Sequence, residues 1–130
     1  MTKNAKGTFD VKMNPQMDDD SGDSTVVRMT LEKQFHGDLE GVSKGQMLAV
    51  STDVPGSAGY VAMERVNGTL NGRKGTFALQ HNGVMTRGTP QLNIIVVPDS
   101  GTGKLAELAG KMTINIEDGK HFYELEYILP

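Results

Sequence analysis

Apolar and polar residues alternate along most of this chain, and a spacing of three to four is almost absent. Phe77, Leu79 and His81 occupy every second place in one stretch, Tyr60, Ala62 and Glu64 in another, and His121, Tyr123, Leu125 and Tyr127 in a third. A period of two puts each set on one face of a strand. The pattern predicts eight strands, near Gly7 to Asn14, Thr25 to Phe35, Gly45 to Thr52, Gly59 to Val66, Lys74 to His81, Gln91 to Val97, Lys111 to Glu117 and Lys120 to Leu129. Only Thr102 to Leu108 has helical character, about two turns at most, with Ser100 or Thr102 as N-cap and Gly110 as the stop.

The connections predict antiparallel hairpins. Asn71-Gly72 and Asp118-Gly119 are the dipeptides that a two-residue type I′ turn requires, because both central residues take φ > 0. A turn centred between Asn71 and Gly72 sets Glu64 opposite Leu79 and His81 opposite Ala62. That makes Glu64 and His81 diagonal neighbours on one face, about 7 to 8 Å apart at Cα. A bulge at Gly68 or Gly75 would slip this register and separate them. Asp18-Asp19-Asp20-Ser21-Gly22-Asp23 reads as a solvated acidic loop, and it lacks the ligand alternation of an EF-hand. Gly37-Asp38-Leu39-Glu40-Gly41 with Lys44-Gly45 is similar to Gly68-Thr69-Leu70-Asn71-Gly72 with Lys74-Gly75. Either two hairpins use the same turn glycines or half a barrel is duplicated.

Eight antiparallel strands close as a barrel or stack as a sandwich. Each alternating face here combines apolar residues with one or more ionisable or phenolic groups, which suits the wall of a small barrel with a partly polar lumen. The length of 130 residues allows one domain, spanning 1–130. With 37% hydrophobic and 22% charged residues the chain can build a modest core, and no apolar run is long enough for a membrane-spanning helix. A net charge of -3 without a basic cluster argues against nucleic acid as a partner. The absence of cysteine removes disulfides, thiolate zinc sites and cysteine nucleophiles. The first residues carry charge without a following apolar stretch, so no secretory signal is read and the expected location is cytoplasmic.

Phe35-His36-Gly37-Asp38-Leu39-Glu40-Gly41, Tyr60-Val61-Ala62-Met63-Glu64, Gly72-Arg73-Lys74-Gly75-Thr76-Phe77-Ala78-Leu79-Gln80-His81, Val97-Pro98-Asp99-Ser100-Gly101-Thr102-Gly103-Lys104-Leu105 and His121-Phe122-Tyr123-Glu124-Leu125-Glu126-Tyr127 occur in this order over nearly the whole chain. Together they resemble an uncharacterised bacterial family designated domain of unknown function 3224, which is similar in fold to the allene oxide cyclase barrel. The resemblance implies an all-β, eight-stranded antiparallel barrel and no established activity. The distant plant relative cyclises an epoxide in an apolar cavity without metal or covalent intermediate. No motif of that enzyme is legible here, and no residue role is carried across.

Glu64 and His81 are the leading candidate pair, either as general acid and base or as a hydrogen-bonded pair that fixes strand register. Tyr60, His121 and Tyr123 are the other candidate ligand contacts, and each phenol also has a structural reading. His36, beside Gly37 at a strand end, is expected to be exposed. The histidines show no ligand spacing for zinc, and no metal or cofactor is expected. Ser100 to Lys104 fails as a phosphate loop, because Pro98 stands at the first-glycine position and Leu105 at the Ser/Thr position. It remains a glycine-rich turn that either offers N–H groups to a carboxylate or simply carries the chain onward. The eight methionines suit a core or a flexible apolar cavity. Three functions follow: a barrel that binds a small apolar or amphipathic ligand, a cofactor-free cyclase or isomerase using Glu64 and His81, and a filled barrel acting through its surface. A homodimer through outward residues such as Val61, Met63 and Ile95 is the expected assembly.

Overall fold

The structure, a computed structural model, describes residues 2–16 and 26–130. The acidic segment Asp18 to Asp23, the predicted strand start at Thr25, Met1 and Met17 lie outside the described residues. Eight strands form: β1 (Lys3–Gln16), β2 (Val26–Gly37), β3 (Leu39–Ser51), β4 (Ala58–Leu70), β5 (Arg73–Thr86), β6 (Thr89–Val96), β7 (Ala109–Glu117) and β8 (Lys120–Ile128). Each pairs with the next in antiparallel fashion, and β8 pairs with β1 to close the barrel. Both predicted type I′ turns form, with positive φ at Asn71 and Gly72 and at Asp118 and Gly119. Arg87-Gly88 adopts the same left-handed pair between β5 and β6, a turn that its sequence does not announce.

Most strands run longer than the alternation predicts. β3 starts at Leu39, not near Gly45, because the chain reverses at Asp38 alone and Leu39 at once pairs with Leu70 on β4. The two similar segments therefore lie side by side, with Leu39 opposite Leu70 and Gly41 opposite Gly68. Gly37 and Gly72 are turn residues as expected, whereas Gly41 and Gly68 sit inside strands where a Cβ on either would come within 2.7 Å of the other's Cα.

The expected two-turn helix is a single 3-10 turn, Gly103–Leu105. Thr102 holds the N-cap place, but its hydroxyl does not cap. It accepts a hydrogen bond from Thr76 N at 3.1 Å and lies 2.6 Å from Thr76 Oγ1. Gly110 belongs to β7 and not to a helix stop.

That detour closes one end of the barrel. The ladder between β5 and β6 begins only at Leu79 and Val96. Ahead of it, residues 97–102 serve β5: Val97 N donates to Ala78 O at 2.9 Å, Ala78 N to Ser100 Oγ at 3.0 Å and Thr102 N to Thr76 O at 2.8 Å. The Ser100 and Thr102 amides of the glycine-rich turn are thus used within the fold, and the chain is led across the barrel end. Leu105 and Leu108 drop into the core there beside Leu39, Leu70, Phe77 and Leu125. Each such buried leucine contributes about 2 kcal/mol of transfer free energy. On the outer wall Val61 and Met63 are exposed next to Leu48, while Ile95 is half-buried.

Candidate functional site

The opposite end of the barrel is not filled. Met13, Met85, Leu92 and Ile116 point inward by strand register, yet they are 41 to 61% exposed because no side chains meet them across the lumen. They surround a cavity of about 460 Å³, which also reaches Phe9, Met47 and Ala49. This volume is that of an ordinary small-ligand site. Of the methionines, which suit a core or an apolar cavity, Met112 lies in the core, Met13, Met47 and Met85 line the cavity, and Met63 faces outward. A larger recess of about 600 Å³ lies on the outer wall by Val26, Leu48 and Val61, with Tyr60 as its single titratable residue among the described residues.

Between the cavity and the packed core sits a layer of buried polar side chains. Glu64, on β4, lies opposite Gly45 on β3, where the missing side chain leaves room for the carboxyl. Ser43 is two residues from Gly45 on the same face, and it pairs in register with Lys33 on β2. Glu64 thereby receives three hydrogen bonds. Ser43 Oγ donates to Oε1 at 2.7 Å, Lys33 Nζ donates to Oε2 at 2.8 Å, and His81 Nε2 lies 2.6 Å from Oε2. The Glu64 side chain is 0% exposed, Lys33 6% and His81 3%. Burial alone raises the Glu64 carboxyl. The hydrogen bond from His81 and the Lys33 ammonium together outweigh it and hold the group at about 2.

An ionised Glu64 fixes the His81 ring. Nε2 must carry the proton shared with the carboxylate, which leaves Nδ1 as the acceptor in the neutral ring. Nδ1 faces the Tyr60 hydroxyl at 3.4 Å. Burial first, and the Glu64 carboxylate second, raise the Tyr60 phenol above 10.0, so it stays protonated and donates. Lys33 Nζ lies over the Phe9 ring at 5.0 Å and near Phe35 at 5.9 Å, a cation–π seat that keeps the ammonium at the cavity floor.

The expected register is therefore the observed one: Glu64 pairs with Leu79 and His81 with Ala62, and the two polar side chains touch directly. Tyr60 and His121 both line the cavity, His121 with its ring 5.1 Å from Phe9. Tyr123 lies elsewhere. Its hydroxyl accepts from Leu39 N at 2.9 Å and reaches the carbonyls of His36 and Leu39 at 3.0 and 3.1 Å, which ties the β2–β3 turn to β8 near the closed end. It makes no part of the cavity lining. His36 is half-buried, not exposed, with Asp10 at 3.5 Å and Glu40 at 3.8 Å. Lys33 and Ser43 are absent from the sequence reading. The signal that could have found Lys33 is its place between Leu31 and Phe35 in an inward-facing row.

Among the described residues no three His, Asp or Glu side chains converge as metal ligands. The arrangement offers hydrogen-bond donors from Lys33 and Tyr60, an acceptor in His81 Nδ1 and an apolar wall above them.

The family model described as "Protein of unknown function (DUF3224)" matches residues 5–127. A crystal structure of a protein with unknown function from the DUF3224 family, from Shewanella oneidensis MR-1, superposes with a TM-score of 0.92 at 47% identity, covering 100% of this chain and 99% of that one. None of the curated proteins matches the chain.

Proposed function

The chain belongs to the DUF3224 family, and from the site it carries we propose that it is a small-molecule binding barrel whose open end takes an apolar or amphipathic ligand. The observation that carries this reading is the unfilled lumen: inward-pointing Met13, Met85 and Ile116 are at least 41% exposed above a polar floor with only a few convergent groups. Apolar side chains left facing an open cavity are a cost unless a ligand covers them. Lys33, His81 and Tyr60 are the polar contacts at the floor, and His121 stands on the wall. Tyr123 is left out of the ligand contacts, since its hydroxyl is engaged with backbone groups.

A second reading, a cofactor-free cyclase or isomerase, draws on the Glu64–His81 contact. In it Glu64 orients the imidazole and does not itself move protons, because a carboxyl held at about 2 is a weak base near neutrality. His81 and Tyr60 would do the proton work, with the dry wall shielding the intermediate.

Titration with the neutral fluorophore N-phenyl-1-naphthylamine tests the binding reading. Saturable enhancement with one site per chain is expected. Fluorescence that stays at the level of free probe at micromolar protein overturns it.

A further inference from the structure

Lys33 and Glu64 form a charge-balanced pair in the floor, with His81 beside them. The Lys33 ammonium and the Glu64 carboxylate cancel across 2.8 Å, and His81 Nε2 is committed to the same carboxylate oxygen at 2.6 Å. All three residues are less than 9% exposed, with Lys33 at 8%, Glu64 at 2% and His81 at 3%. Any ionic ligand group brought to this floor would therefore be a buried charge without a counter-charge, the most costly kind of polar burial.

The hydrogen-bonding capacity of the floor is nevertheless unspent. Among the described residues Lys33 Nζ makes one hydrogen bond, to Glu64, and the two Phe rings cover another side of it. An ammonium has three N–H groups, and Lys33 lines the cavity, so at least one N–H is available to what enters. Tyr60 is a second donor on the cavity wall, and its bond to His81 at 3.4 Å is long enough to give way.

We infer that the cavity selects electrically neutral apolar molecules bearing one oxygen acceptor, of the ketone, aldehyde, ester or alcohol class, with the oxygen received by Lys33 Nζ. This rests on the binding reading above and narrows it. A carboxylate would meet Lys33, but it would also meet the Glu64 carboxylate on the same ammonium. An alkylammonium would sit against Lys33 itself. A hydrocarbon would fill the volume and leave the free N–H groups of Lys33 without partner or water.

Displacement of bound N-phenyl-1-naphthylamine at pH 8 by 2-decanone, 1-decanol, decanoate and decylammonium tests it, because the four differ in head group at similar apolar length. The ketone and alcohol are expected to displace the probe at concentrations at least tenfold lower than either ion. Decanoate or decylammonium displacing as well as the ketone overturns the inference while leaving the binding reading intact. Failure of the probe to bind overturns the binding reading itself. The charge-neutral double variant Lys33→Met with Glu64→Gln supplies a second measurement. Ketone affinity should fall at least fivefold more than the affinity for the probe, which has no oxygen to present to Lys33, and an equal change in both overturns the role of Lys33.

Discussion

Glu64 and His81 are diagonal, not directly paired, on β4 and β5, and yet their side chains meet at 2.6 Å. Room for the contact comes from Ala62, the small residue across from His81 on β4, and from Gly45, which faces Glu64 from β3 without a side chain. The lumen at this level is then free for the long polar groups to fold toward each other. Lys33 reaches the same carboxylate oxygen from β2 at 2.8 Å, so one oxygen links three strands of the wall.

Glu64→Gln should therefore act on stability. The substitution leaves the Lys33 ammonium buried with no counter-charge, and it is expected to cost about 3 to 5 kcal/mol, the usual penalty for breaking a buried pair on one side. Lys33→Met combined with Glu64→Gln removes the charge from both partners and should recover more than half of the loss. Thermal unfolding followed by circular dichroism measures both. A single variant within about 1 kcal/mol of wild type would show that the pair does not hold the wall together.

The pH dependence follows from the same carboxylate. Its folded value of about 2 lies below the ordinary 4.5, so the folded state favours the ionised form. The stabilisation is fully present above about pH 4.5 and is lost as pH falls from there through about 2. The shift corresponds to roughly 3 kcal/mol. The stability difference between wild type and Glu64→Gln should thus be constant between pH 6 and 8 and shrink steadily below pH 4. Urea unfolding at each pH reads this, and a gap that stays constant to pH 2.5 would contradict it.

Tyr123, which is buried, and Tyr60, which is half-buried, should respond to loss of the hydroxyl by different amounts. Tyr123→Phe strips the acceptor from the Leu39 N–H, which is inside the barrel, and should cost about 1 to 3 kcal/mol. Tyr60→Phe removes only a long contact to His81 at a site open to the cavity, and should change stability by about 0.5 kcal/mol or less. Chemical denaturation separates them. Equal losses for the two would mean that Tyr60 is structural as well.

The turn chemistry made the Glu64 and His81 placement legible. Asn71-Gly72 sets a two-residue hairpin, the register follows by counting, and neither Gly68 nor Gly75 bulges out of the ladder. Lys33 and Ser43 were not legible because β2 and β3 are joined at Asp38 without a paired turn signal, so the register that brings them under Glu64 could not be counted. Tyr123 was misplaced for a different reason. Alternation gives the face of a residue but not its height in the barrel, and the tilt and stagger of closed strands put His121 at the open end and Tyr123 beside the β2–β3 turn. Within the path of residues 97–108, Thr102 to Leu108 reads as a short helix because its Leu and Ala content is helical. The hydroxyls and amides of the path instead complete the edge of β5, and its leucines seal the barrel.

Filling the open end is the direct way to separate ligand binding from folding. Ala49 is half-buried, points inward on β3 and lines the cavity. A larger side chain there enters unoccupied volume and does not displace packed neighbours, so Ala49→Trp should change stability by about 1 kcal/mol or less. The indole would take up much of the space available to a ligand and should weaken binding of N-phenyl-1-naphthylamine at least tenfold. The chain contains no tryptophan of its own, so the emission of the new residue also reports its surroundings. Blue-shifted emission with lost probe binding is expected. Unaltered probe affinity, with the indole emission showing that it is shielded from water, would place the bound probe outside the lumen, in the outer recess by Val26 and Val61.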